Sequence, residues 1–327
     1  MNLHFILIII LLLYIILKSN NIYEGILFKA PYMKKFYNRN GIKLNKKKNI
    51  LIKNKKKISI LHSFNDVKAK HIAKNKHLTK QILRNNNIPT PNWYVWDINK
   101  SLYENINLLQ LNNIKFPVVI KPLMSEGAKG VHTDILNMNQ AIGVIKNLLL
   151  NNDKFLIEEQ KIGDAHRIIV FNNKILVCYR INKPAIVGDG IHKISYLIKE
   201  FLKTDAGSNL DTSQIHYNLI NVQGHDDIIL PKDKIIYISN TANGTVGSTQ
   251  DIIPIKKIHP DNIKLFKKIS KVVNLKMNGI DYITTDLRIP YYEYGSVLET
   301  NANPGMGILA EETPEYIDKF LNMIKFN

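Results

Sequence analysis

The stretch "HRIIVFNNKILVCYR", residues 166–180, leaves the chain little choice of local fold. Two apolar runs flank Asn172-Asn173, and Asn tolerates the positive φ that a two-residue hairpin turn demands. The runs therefore read as two antiparallel strands. Cys178 falls in the second run as a buried strand residue. It is the sole cysteine of the 327 residues, which excludes an internal disulfide framework and any multi-cysteine metal site.

Around this hairpin, from about residue 58 onward, the pattern is that of a folded domain of mixed helices and strands. "HLTKQILRNNNIPTP" reads as a helix with an Asn-rich stop and a proline-punctuated loop. "FPVVIK" and "FLIEEQ" read as strands, and "MNQAIGVIKNLLL" and "HKISYLIKEFL" as helices. "HPDNIKLFKKISKVVNL" is a further helix, with Pro260 in its first turn and Ile263, Phe266, Ile269 and Val273 on its apolar face. "NGIDYITTDLR" and "GSVLETN" are the last two strands.

Charge divides the N-terminal part from the rest. Lys18 to Lys57 holds thirteen Lys/Arg against one acid, Glu24, and so carries two-thirds of the formal net charge of +18. Before it, Leu3 to Leu17 is apolar apart from His4 and Tyr14. That is shorter than the roughly 20 residues that span a bilayer comfortably. No Lys or Arg precedes it, and "KSNNIYEG" is a poor cleavage site, so a single anchor is preferred over a cleaved signal peptide. With the positive flank after the apolar run, the body is expected on the cytoplasmic side. The basic run suits anionic lipid headgroups or a solvated linker. Nucleic acid ranks behind these, since interleaved aromatics and a recognisable binding module are missing.

Four groups of residues carry possible chemistry. In "VLETNANPGMG", period-2 geometry puts Glu299 and Asn301 on one face, beside the turn forced by Pro304-Gly305. A carboxylate and a carboxamide so placed suit a hard cation such as Mg²⁺. Asp281 and Asp286 are five apart, so a regular strand aims them at opposite faces. One of them can join the pair, and spacing does not choose which. In "VVIKPLMSEGAKGV" a strand ends at Lys121-Pro122 and enters a loop with Gly127 and Gly130, whose backbone N–H groups can approach phosphate. It lacks the Gly-Lys-Ser/Thr ending of a Walker A loop. Glu158 and Glu159 close a strand and could meet an adenine amino group or ribose hydroxyls. Arg167 and Arg180 lie on strands whose pairing could bring both to one side, where they would neutralise phosphate. Lys76, near a helix start, has no special claim by itself.

Together these stretches resemble the ATP-grasp superfamily, most closely the ATP-grasp domain of cyanophycin synthetases, and more distantly glutathione synthetase and D-alanine–D-alanine ligase. The resemblance covers roughly residues 60 to 310. It rests on "NKHLTKQILRNNNIPTP", "FPVVIKPLMSEGAKGV", "FLIEEQKIGDAHRIIVFNNKILVCYRINKPAIVGDGIHKI", "NGTVGSTQDI" and "NGIDYITTDL…GSVLETNANPGMG" in that order. It implies an α+β fold in which two α+β subdomains clamp ATP, preceded here by a single hydrophobic helix. The organisation expected is an anchor over 1–18, a basic juxtamembrane linker over 19–57 and an ATP-grasp ligase domain over 58–327.

The resemblance also implies roles. Lys76 and Lys121 contact phosphates, and the loop from Ser125 through Gly127 to Gly130 folds over them. Glu158 and the hinge Glu159, Gln160 and Ile162 hold adenine, and the ribose contact falls to Asp164. Arg167 and Arg180 match catalytic arginines that face phosphate or acyl phosphate. Asp281, Glu299 and Asn301 match the ligands of Mg²⁺, for which Mn²⁺ can substitute, so the family favours Asp281 over Asp286. Asn75 stands where the family usually has Asp. The implied reaction joins a carboxylate to an amine through an acyl phosphate, with an amino acid or short peptide as substrate. Cyanophycin synthetases carry a further N-terminal region and a Mur-ligase-like half with no counterpart read here, so cyanophycin synthesis itself is not expected. The alternative is an ATP-binding scaffold that has lost ligation.

Overall fold

The computed structural model describes residues 37–38, 41–45, 50–59, 64–125, 130–150, 154–204, 207, 210, 215, 228–239 and 248–305. The apolar run Leu3–Leu17 and Gly127 lie outside them. Among the described residues no helix is long and apolar enough to cross a membrane.

Strands β1 (Lys43–Asn45), β2 (Ile50–Lys53) and β3 (Lys56–Ser59) form an antiparallel meander. These strands fall largely within the stretch expected as a basic linker over 19–57. Asn54 and Lys55 both take positive φ, 50° and 68°, which makes a two-residue hairpin turn inside what reads as a plain basic run.

Helices α1 (Val67–Lys74) and α2 (Lys76–Asn85) meet at Asn75. Asn75 closes α1, and its side chain accepts hydrogen bonds from the His77 and Leu78 amides to start α2. The buried residues of α2 are Lys76, Thr79, Lys80 and Leu83, a single stripe at helical spacing.

The first subdomain runs through β4 (Trp93–Val95), α3 (Leu102–Leu111), β5 (Val118–Pro122), β6 (His132–Ile135), α4 (Met138–Leu150) and β7 (Phe155–Glu159). Its strands make an antiparallel sheet in the order β4-β7-β5-β6. Val118, Ile120, Phe155 and Ile157 pack one face against α3 and α4 through Leu109, Ala141, Ile145 and Leu148. Alternation sends Lys121 and Glu158 out of the other face.

The second subdomain contains β8 (Asp164–Phe171), β9 (Lys174–Ile181), β10 (Ala185–Val187), α5 (Ile194–Lys203), β11 (Ile235–Tyr237), β12 (Gln250–Ile252), α6 (Pro260–Val272), β13 (Met277–Thr284), α7 (Tyr291–Tyr294) and β14 (Ser296–Asn301). Five of its strands form an antiparallel sheet in the order β12-β9-β8-β13-β14. The β8–β9 hairpin turns at Asn172 and Asn173, with φ of 46° and 61°, as the sequence predicts. Ile168, Cys178, Ile280, Tyr282 and Val297 pack with Phe266 and Ile269 of α6 and with Leu83 of α2. Strands β10 and β11 form a separate ribbon whose Ile186 packs on Ile194 and Ile198 of α5. The fold is α+β, and α2 lies so that its two lysines reach toward the first sheet while Leu83 enters the core of the second.

Candidate active site

Between the two larger sheets lies a cavity of about 740 Å³, lined by Lys76, Lys121, Glu158, Arg167, Asp281 and Glu299 among others. That volume suits a small organic ligand, for which roughly 300–1,000 Å³ is usual.

The acidic wall comes from the edge of the five-stranded sheet. Asp281 faces Glu299 across the β13–β14 ladder, and on its other side it faces Arg167 of β8. A one-residue bulge at Leu298 sits between Val297, which pairs with Tyr282 toward the core, and Glu299, which pairs with Asp281 toward the cleft. Asn301 Nδ2 donates to Asp281 Oδ2 at 3.0 Å and to Glu299 Oε1 at 3.3 Å. Arg167 makes a two-pronged contact, Nε to Asp281 Oδ1 and Nη2 to Oδ2. Gly279 leaves room for this arrangement: a Cβ there would lie 2.7 Å from Pro304 Cβ and 3.4 Å from Arg167 Nη1. Burial raises the pKa of Asp281, and the charge of Glu299 adds to this against the pull of Arg167. Burial works the same way on Glu299, but the positive charge of Lys76, with help from Lys121 and Arg167, outweighs it and its pKa falls. The two facing carboxylates are thus pushed apart in pKa, Asp281 upward and Glu299 downward. Asp286 is elsewhere, past the end of β13 and bound to Arg288 at 2.6 Å, so geometry assigns the pairing with Glu299 to Asp281.

The basic wall comes from α2 and β5. Lys76 Nζ donates to the Ser125 carbonyl at 2.7 Å, tying α2 to the start of the loop that ends at Gly130. Gly130 has φ +70° and sits against the Pro122 ring. Lys121 Nζ lies 2.5 Å from Glu158 Oε1, and Lys80 Nζ lies 2.8 Å from Glu158 Oε2. Burial disfavours the Glu158 charge, but Lys121 and Lys80 outweigh it and the pKa falls. The Glu158 carboxylate is thereby committed to two lysines, where the resemblance implied an adenine contact. Lys80 was missed in the sequence. Its one signal is the i, i+4 spacing from Lys76, which puts both lysines on the stripe shared with Thr79 and Leu83.

The hinge residues divide in role. Glu159 takes Lys161 at 3.0 Å and Asn92 at 3.3 Å. Gln160 exchanges two hydrogen bonds with Asp134, to its amide and its carboxylate, at 2.7 Å each. Ile162 is 85% exposed. Gly163 follows with φ +141°, and a Cβ there would meet the Thr284 backbone at 2.7 Å. Asp164, at the rim, pairs with Arg180 at 3.4 Å.

Arg180 lines the same cavity as Arg167 but sits on the opposite face of the β8–β9 ladder. A regular ladder out from Asn172-Asn173 would set Arg180 opposite Ala165, on the Arg167 face. Instead Leu176 is bulged, Ile169 pairs with Val177, and Arg180 pairs with His166. One extra residue turns every later side chain over. Arg180 therefore points away from Arg167 and binds Asp164 and Asp251, the latter at 2.8 Å.

No family model matches the chain. It is 30% identical over 258 residues to the cyanophycin synthetase of a Synechocystis species, a match covering 75% of this chain and 29% of that protein. It superposes on a bifunctional glutathione synthetase from Pasteurella multocida with a TM-score of 0.56 at 18% identity, covering 87% of this chain and 42% of that one. A D-alanine–D-alanine ligase from Bacillus anthracis gives 0.51 at 18% identity, covering 78% and 65%. The chain is a homologue of cyanophycin synthetase with the ATP-grasp fold. It spans less than a third of the length of the cyanophycin synthetases it matches.

ATP-grasp ligases use ATP and Mg²⁺, and the residues of this cyanophycin synthetase homologue fit both. Asp281 and Glu299 are two facing carboxylates in the cleft, and a divalent cation would find there the oxygen donors it prefers. Rotating the Asn301 amide presents its carbonyl oxygen in place of Nδ2. Lys76 and Lys121 line the same cavity, and their positive charge would suit phosphate.

Proposed function

We propose that the chain is an ATP-dependent carboxylate–amine ligase acting on an amino acid or short peptide. The supporting observation is the convergence of Lys76, Lys121, Arg167, Asp281 and Glu299 on one cavity, although they come from α2, β5, β8, β13 and β14. In this reading a substrate carboxylate oxygen attacks the γ-phosphorus, the bond to the β-phosphate oxygen breaks, and ADP leaves. The amine nitrogen then attacks the acyl carbon, phosphate departs, and the nitrogen gives up a proton. Both anions meet in the first step, so barrier lowering comes from cations held in place beforehand. Lys76 and Lys121 hold the phosphates, and Arg167 faces the acyl phosphate. Mg²⁺ held by Asp281, Glu299 and Asn301 would neutralise phosphate charge. The test is ADP release from the full chain with ATP, Mg²⁺ and a panel of amino-acid pairs. Release that requires both a carboxylate and an amine is expected. ATP binding without turnover across the panel would favour a scaffold that has lost ligation.

We also infer a membrane tether, supported by the sequence of Leu3–Leu17 and the basic stretch after it. The full chain should sediment with membranes at high salt, with its catalytic part open to protease from the cytoplasmic side. Deleting residues 1–18 should release it; a full chain that stays in the supernatant overturns the tether.

A further inference from the structure

Lys80 is a buried charge for which the ligase reading has no use. Its side chain is 0% exposed, and it is absent from the cavity lining. It donates to Thr90 Oγ1 at 2.9 Å, pairs with Glu158 Oε2 at 2.8 Å and sits 5.6 Å from the centre of the Trp93 ring. Burial lowers its pKa to about 8, with Glu158 resisting the fall. Among the described residues it reaches the cleft through Glu158, whose other oxygen holds Lys121.

We propose that Lys80 is a positioning residue for anion binding, which neutralises Glu158 from behind so that Lys121 presents a net positive charge to phosphate. The reasoning is a count of charge in a poorly hydrated place. Lys121 with Glu158 alone is a neutral pair at 2.5 Å and offers an anion little attraction. Adding Lys80 leaves the triad at a net charge of +1, while the carboxylate still fixes where the Lys121 ammonium points. Burying a third ion is costly unless it is paired and hydrogen-bonded. Here Glu158, Thr90 and the Trp93 ring meet that requirement.

The proposal rests on the nucleotide reading above, and calorimetry with the full chain and Mg²⁺ separates the two. ADP and adenosine are titrated into the wild type, K80Q and K80M/E158Q. In K80Q the ADP affinity should drop at least about tenfold while adenosine binds as before. K80M/E158Q removes both charges and leaves Lys121 as a lone cation, so its ADP affinity should return to within about threefold of wild type. A lysine that only supports the fold gives no such rescue and no such contrast between ADP and adenosine. K80Q that binds ADP like the wild type, or a double variant as weak as K80Q, overturns the role of Lys80. If K80Q does not fold, the double variant decides: a loss of about tenfold in its ADP affinity overturns the proposal. A wild-type protein that binds no ADP overturns the nucleotide reading and this role together.

Discussion

Asp281 stands directly opposite Glu299 in the β13–β14 ladder, so one patch of the cleft carries two facing carboxylates, of which Arg167 grips Asp281. Like charges facing each other across a ladder destabilise it. E299Q removes that repulsion and one oxygen donor of full charge. It also removes a carboxylate that Lys76 and its neighbours hold in the charged form, so the variant should melt at or below the wild-type temperature without metal, and should lose its Mn²⁺ affinity and its ADP release. Mn²⁺ titration followed by electron paramagnetic resonance reads the first loss directly. An E299Q protein that binds Mn²⁺ as the wild type does would remove Glu299 from the metal site.

Arg167 and Asp281 form a partly buried pair with two contacts, which makes them unequal to their parts. Taking away one member strands the other, at a cost of about 3 kcal/mol for such pairs. R167M should therefore lower the urea-unfolding free energy by about that amount. R167M/D281N, with both charges gone, should recover most of it. Equal losses in the single and double variants would mean that the pair is not what holds these strands together.

Much of this arrangement was readable from the residues. The hairpin follows from Asn172-Asn173, whose positive φ values are what a tight turn needs. Glu299 and Asn301 share a face because strands have period two, and no partner strand is needed to see it. Bulges were not readable. The extra residue at Leu176 inverts Arg180, and the one at Leu298 lets Val297 and Glu299 serve opposite sides. Both depend on packing against neighbours that composition does not reveal. Lys80 failed for another reason. A lysine on an amphipathic helix ordinarily reaches water, and its burial becomes visible only once β7 brings Glu158 to meet it. The β2–β3 turn at Asn54-Lys55 was hidden by the surrounding lysines, which read as a solvated tether.

Arg180 gives the converse expectation. Its side chain is 43% exposed, and its partners Asp164 and Asp251 are each 54% exposed. Exposed pairs of this kind contribute about 0–1 kcal/mol. R180A should shift the unfolding free energy by less than about 1 kcal/mol, and it should slow ADP release far less than R167M does. Equal kinetic damage from the two substitutions would return Arg180 to the reaction centre.

His166 should dominate the acid response of the fold. Its ring is 4% exposed and Nδ1 has no hydrogen-bond partner among the described residues. Burial lowers its pKa from 6.5 to about 4, while nearby Asp164 opposes the fall and Arg180 adds to it. Between those two values the unfolded chain binds a proton that the folded one refuses. Stability from this residue is thus fully present above pH 6.5 and is lost as the pH falls through about 4. The shift corresponds to a loss on the order of 3 kcal/mol. H166Q, which does not titrate, should show a flatter decline in urea-unfolding free energy across that window. Parallel declines in the two proteins would assign the acid sensitivity to other groups, beginning with Glu158, whose lowered pKa places its own loss below the ordinary carboxylate range.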